Sequence, residues 1–198
     1  MLLAWGHKQA RPQLNTEDEE EISDILYQNI QILLMEQKER WMANYAVKNE
    51  DPISGGKRTG KKRNEIDLII EFTGRGRPQY VFEAKVLNWK KRYQRTDNYI
   101  NPSGLGRFLE GEYADYTARF PEVGMIGYVL SDDLELWKDK LIQAINLKSS
   151  ALKMAREQEP CEICEEFKLE WRSEHSRTSV DSTLTVYHIL LDCQPTLM

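Results

Sequence analysis

The chain has 198 residues, 40% hydrophobic and 30% charged, a composition that supports a sizeable core without covalent staples. Its three cysteines are too few and too odd in number for a disulfide framework, which excludes a disulfide-built secreted scaffold and favours a reducing compartment. The net charge of −5 is uneven: residues 57–107 hold thirteen Lys/Arg against five Asp/Glu, and the remainder holds fourteen against twenty-seven. An acidic body with one basic central region points to a polyanionic partner.

The opening MLLAWGHKQARP lacks a basic segment ahead of its short apolar start, and no later apolar run reaches membrane length. It reads as neither signal peptide nor membrane span, so a cytoplasmic location is expected. Thr16 and Glu19 form a capping-box pattern before Ile22, Ile25, Leu26, Ile30 and Leu33, which predicts one helix over about 17–40. NYAVKN (44–49) reads as a strand, and DPISGGKRTGKKRN (51–64) as a loop. Paired strands follow at 66–72 and 79–87 around the turn TGRGRP. A loop through NPSG (101–104) leads to a helix capped by Ser103 and running to about 119, with Gly111 available for close packing. GMIGYVL (124–130) is a buried strand, 131–158 an amphipathic helix, and 167–173 and 183–193 two further strands. This order predicts one α/β domain over 1–198, with a core at about 16–130 and residues 131–198 completing a mixed sheet.

The central hairpin carries charges that packing does not require. With Asp67 set opposite Lys85, Leu68, Ile70 and Phe72 share an apolar face with Phe82, Ala84 and Val86, while Asp67, Glu83 and Lys85 share the other, outward face. Two neighbouring carboxylates repel, and a divalent cation relieves that repulsion. Hard oxygen donors suit Mg²⁺, with Mn²⁺ able to substitute, and such an ion acidifies water and stabilises charge on a phosphate. An amine two residues from a carboxylate can orient or deprotonate that water, or neutralise the transition state. The residue types are those of phosphodiester hydrolysis.

The stretch EIDLIIEFTGRGRPQYVFEAK (65–85) resembles the PD-(D/E)XK, or restriction-endonuclease-like, nuclease superfamily. The resemblance implies an αβββαβ core with a mixed central sheet flanked by helices, with Asp67, Glu83 and Lys85 as catalytic residues. It also implies metal ligation by Asp67, Glu83 and the Ala84 carbonyl. Ile66 stands where the motif's name has proline. The superfamily often adds an acid from its first helix, and of EDEEE (17–21) Glu19 is the residue chosen. The local alternative is that these acids simply favour the positive end of the helix dipole. GLGRFLEGEYA (104–114), GMIGYV (124–129) and SEHSR (173–177) are similar in style to restriction-like nucleases of bacterial antiphage defence systems.

Lys57, Arg58, Lys61, Lys62 and Arg63, with Lys90, Lys91, Arg92 and Arg95, flank the hairpin and suit a phosphate backbone. Trp89 and Tyr93 are interleaved for base stacking. Arg107 and Glu110 are placed on the same groove. CEIC (161–164) is a lone CxxC; His175, His188 and Cys193 complete no standard zinc module, so the cysteines read as packing residues and zinc is not expected. His175 itself reads as a strand-end residue or a surface contact. The expectation is a Mg²⁺-dependent DNA endonuclease of a bacterial defence system, acting as a homodimer or with a defence-system partner. The alternatives are a nuclease for RNA or branched DNA and a non-cleaving DNA-binding or scaffold subunit.

Overall fold

A computed structural model describes residues 1–52, 65–91, 95–111, 113–117, 120–167, 169–177 and 182–195. Seven strands form one mixed sheet with helices on both faces, which is the α/β class expected. The sheet order is β1-β2-β3-β4-β7-β6-β5. Here β1 is Tyr45–Pro52, β2 Glu65–Phe72, β3 Gln79–Leu87, β4 Glu122–Val129, β5 Met154–Pro160, β6 Glu170–Ser176 and β7 Thr183–Asp192. β1, β2 and β3 meander antiparallel, and β3, β4 and β7 run parallel at the centre. β6 and β5 close the far side antiparallel. β4 is buried at every residue from Val123 to Val129, as a central parallel strand must be.

Helix α1 (Leu2–Ala10), which the sequence reading left unassigned, packs on α2 (Glu19–Glu36). Gly6 permits the approach: a Cβ there would stand 2.3 Å from Ile30 Cγ1. Asp18, not Thr16, caps α2, accepting from the amides of Glu20 at 3.0 Å and Glu21 at 3.1 Å. An ionised carboxylate is the stronger acceptor for these orphan donors. The helix stops four residues earlier than expected, at Gln37 in the left-handed region (φ 45°). Its apolar stripe Ile22, Leu26 and Ile30 covers Leu68, Ile70, Ala84 and Val86.

The opposite face is covered too. Between β3 and β4 the single helix expected from Ser103 to about 119 is broken into two, and a further short helix stands where a loop is expected: the three are α3 (Thr96–Ile100), α4 (Leu105–Leu109) and α5 (Ala114–Thr117). Ser103 caps nothing: its amide and hydroxyl both bond Asn101 Oδ1. Gly111, expected to permit close helix packing, instead takes φ +80° just beyond α4, a turn conformation open to glycine. Tyr99, Leu105, Phe108 and Tyr113 join Trp137, Leu141 and Ile145 of α6 (Leu134–Leu147) in this second core. The helix expected to reach 158 ends at 147, and Met154–Pro160 becomes an edge strand. Local propensity there yields to pairing with β6 and to Gln158, whose amide donates to Ile142 O and whose oxygen accepts from Trp171 Nε1. Among the described residues no helix is long and apolar enough to cross a membrane.

Candidate active site

The hairpin register differs from expectation by two residues. Leu68 pairs with Phe82 and Glu71 with Gln79, so continuation places Asp67 opposite Glu83 rather than Lys85. A shift of two preserves every face, and Asp67, Glu83 and Lys85 still share one. The turn sets the offset: Gly76 and Arg77 take positive φ, and the Pro78 carbonyl accepts from the Phe72 amide at 2.9 Å.

The β2–β3 ladder ends at Leu68↔Phe82. Beyond it, β3 turns its free amides to side chains. The Ala84 amide donates to Asp67 Oδ2 at 2.6 Å, and the Val86 amide donates to Glu19 Oε2 at 3.0 Å. Two carboxylates thus occupy the edge that a neighbouring strand would have satisfied. Glu19, chosen from five acids, is the one that the first turn of α2 brings there. Glu17 instead pairs with Lys91 and accepts from Asn88.

The charged face is not outward, contrary to expectation. Glu83 is fully buried and Lys85 is only 6% exposed: Arg107 of α4 and Tyr113 close over Glu83, and Glu19 of α2 reaches Lys85. Lys85 Nζ donates to Glu19 Oε1 at 2.7 Å, Glu83 Oε1 at 2.9 Å and the Ala84 carbonyl at 2.5 Å. Arg107 Nη1 lies 3.0 Å from both Glu83 oxygens, and the Tyr113 hydroxyl donates to Glu83 Oε2 at 2.6 Å. Tyr113 was missed by the sequence reading. Its only signal was a tyrosine six residues after Arg107, and the intervening Gly111 turn hid that both reach one carboxylate.

These contacts set the protonation states. Burial, then the charge of Glu83, push the Asp67 carboxyl up to about 7, against the opposing pull of Lys85 and the Ala84 amide. Burial disfavours the Lys85 ammonium, but Glu83, Glu19 and Asp67 outweigh it and hold its pKa above the ordinary value. Lys85 is therefore a fixed cation in this arrangement, suited to stabilising charge rather than to accepting a proton. Tyr113 is raised by burial and by Glu83, so it remains a donor.

Among the described residues no three His, Cys, Asp or Glu side chains converge as a metal-ligating group. The oxygens of Glu19, Glu83 and Ala84 converge instead on the Lys85 ammonium. A cation already sits among hard oxygens, so the donor set is chemically suited to Mg²⁺.

Of the expected phosphate-binding residues, Lys57, Arg58, Lys61, Lys62, Arg63 and Arg92 lie outside the described residues, as does Tyr93. Lys90 is exposed, whereas Lys91 pairs with Glu17 and Arg107 is turned to Glu83. The Arg95 guanidinium sits 4.6 Å from the centre of the Trp89 ring, and Lys140 Nζ lies 3.8 Å from it. Trp89, expected to stack on bases, already holds two cations.

Cys161 and Cys164 are half-buried free thiols. His175 stands at the strand end expected, one residue before the end of β6, but it is fully buried rather than a surface contact, as is His188. His175 Nδ1 faces the Leu152 carbonyl at 2.8 Å, so Nδ1 carries the proton. The neutral ring accepts from Ser173 at Nε2, Ser173 accepts from His188 Nε2, and the Tyr99 hydroxyl is shared between His188 Nδ1 at 3.0 Å and the Met125 carbonyl at 3.1 Å. Burial keeps both rings neutral, lowering the pKa of each.

No protein-family model matches this chain. Neither a curated protein nor a solved structure matches it.

Proposed function

We propose that the chain is a metal-dependent endonuclease with a restriction-endonuclease-like core, using Mg²⁺ to hydrolyse DNA phosphodiester bonds within a bacterial defence system. The observation that carries this reading is the opened end of β2–β3. There Asp67 and Glu19 cap free β3 amides beside Glu83, the Ala84 carbonyl and Lys85. A sheet held together only by packing would continue the ladder. This one gives it up to hold three carboxylates and an amine in one place, against their desolvation cost. The element order α2-β1-β2-β3, a helical crossover and β4 parallel to β3 accords with an αβββαβ core.

Asp67, Glu83 and the Ala84 carbonyl would hold the ion, with Glu19 beside them. When bound, a divalent ion supplies an acidified water and charge stabilisation at a phosphate. Lys85 contributes a positive charge beside that phosphate, and its raised pKa keeps the charge in place at neutral pH. Asp67, whose carboxyl titrates at about 7, is the ligand that would have to be deprotonated to hold such an ion.

The test is cleavage of supercoiled and linear DNA with Mg²⁺ or Mn²⁺, against EDTA and Ca²⁺ controls. Asp67→Asn and Lys85→Met should each abolish it while duplex binding persists. Cleavage by Lys85→Met at the wild-type rate would overturn the assignment. One observation favours a second reading, a non-cleaving DNA-binding or scaffold subunit: both Glu83 oxygens are already engaged by protein donors. Duplex binding with no cleavage under either metal would select it. Parallel reactions on RNA and branched DNA decide the substrate class.

A further inference from the structure

We propose that Arg107 is a latch on Glu83 that a phosphate of the nucleic acid releases, so that cation binding and DNA binding reinforce each other. This rests on the endonuclease reading and concerns the same site. A carboxylate has about four lone-pair positions. Oε1 of Glu83 has Lys85 at 2.9 Å and Arg107 at 3.0 Å; Oε2 has Tyr113 at 2.6 Å and Arg107 at 3.0 Å. Glu83 is fully buried, so a cation enters its shell only if one of these donors leaves.

The three donors differ in their freedom to leave. Tyr113 is 1% exposed and packed edge-on against Phe108. The Lys85 side chain is 7% exposed and is also held by Glu19 and the Ala84 carbonyl. The Arg107 side chain is 21% exposed, the most open of the three, and its further contacts to the Tyr113 hydroxyl at 3.1 Å and the Glu65 carbonyl at 3.4 Å are made by the same Nη1 that meets Glu83, so one movement releases them together. It projects from α4, a helix of only five residues set between turns. A guanidinium gains more from a phosphate than an ammonium does, because its planar fork meets two oxygens together. A backbone phosphate arriving at the site therefore competes with Glu83 for Arg107. Glu83 is left with Tyr113 on one oxygen and Lys85 on the other, and with one lone-pair position open on each. The free protein keeps Glu83 paired, which avoids an unpaired buried charge without a bound ion.

Reciprocal linkage gives the measurement. Calcium titration calorimetry is run on the free protein and on its complex with a short duplex, with the duplex alone subtracted. Calcium is used because it is not expected to support cleavage. The wild type should bind Ca²⁺ roughly 5- to 150-fold more tightly in the complex. Arg107→Met should bind Ca²⁺ more tightly than wild type when free, and the gain on adding duplex should shrink toward onefold. Tyr113→Phe removes a donor that stays in place, so it should retain the coupling. Equal Ca²⁺ affinity of wild type with and without duplex overturns the latch, and requires no variant to fold. Undiminished coupling in Arg107→Met also overturns it, since the coupling would then arise from duplex charge alone. Failure to bind Ca²⁺ or duplex at all removes the endonuclease reading, and the latch with it.

Discussion

Replacing Asp67 by Asn should stabilise the metal-free protein at neutral pH and leave it little changed in acid. The Asp67 carboxyl titrates at about 7 in the fold against an ordinary 3.8. Between those values the folded state binds one more proton than the unfolded state, so wild-type stability falls as pH rises through that window. At about 1.4 kcal/mol per pH unit, the three-unit span sets an upper bound of roughly 4 kcal/mol. Asp67 is half-buried and keeps part of its hydration, which reduces the expected effect to about 2–3 kcal/mol. Asn presents a carbonyl oxygen to the Ala84 amide, which donates to Asp67 at 2.6 Å, and it carries no charge at any pH. For a chain of 198 residues each kcal/mol moves the melting temperature by about 2–4 °C. In EDTA the variant should therefore melt close to wild type at pH 4 and roughly 4–12 °C above it at pH 8. Titrations of groups not coupled to Asp67 are common to both proteins and cancel in the difference. A difference that stays flat from pH 4 to 8, or a wild type more stable at pH 8, would refute the reasoning.

His188→Gln addresses the buried relay of Tyr99, His188, Ser173 and His175: the folded rings stay neutral while the unfolded rings protonate below about 6.5, so wild-type stability supplied here is present above that pH and lost as pH falls. The deficit of the variant, measured by urea unfolding, should narrow between pH 7 and pH 5; a deficit that widens contradicts the neutral assignment. Gln37→Gly acts on the end of α2, where a non-glycine residue sits at φ 45°. Relief of that conformation should raise the urea midpoint by the equivalent of about 0.5–1 kcal/mol, and a lowered midpoint would show that the Gln37 side chain matters more than its backbone.

The alternation of the hairpin was legible in the sequence because two-residue periodicity assigns faces without knowing the partner. The same periodicity is blind to a shift of two, which is how Asp67 came to face Glu83 while the apolar set of Leu68, Ile70, Ala84 and Val86 stayed intact. What lay over the charged face was not legible. Its cover comes from α3–α5, where short helices and turns replace the long periodic run that announces a helix. Glu19 was identifiable as one of several acids at a helix start, but only the tertiary position of α2 separates it from Glu17. Met154–Pro160 was misread because an exposed edge strand of charged helix-formers carries no alternation to betray it. α1 was overlooked because its apolar residues pack on another helix and have neither cap nor long stripe.

The fastening of α1 onto β7 bears on the time course of folding. His7 Nε2 donates to the Asp192 carbonyl at 2.9 Å, Arg11 pairs with the Asp192 carboxylate at 2.8 Å, and Arg11 also reaches the Gln194 carbonyl. Contacts between positions so distant in sequence close late, because the loop entropy is spent before any of them forms. During synthesis α1, α2 and the β1–β3 meander emerge first, with the β4 side of β3 uncovered until β4 arrives. β4 in turn waits for β7, the last of the seven described strands to emerge, to cover its other edge. A nascent chain arrested before β7 therefore exposes one unpaired edge of β4, a strand without a charged residue from Val123 to Val129, and for that interval it is a natural client for a chaperone.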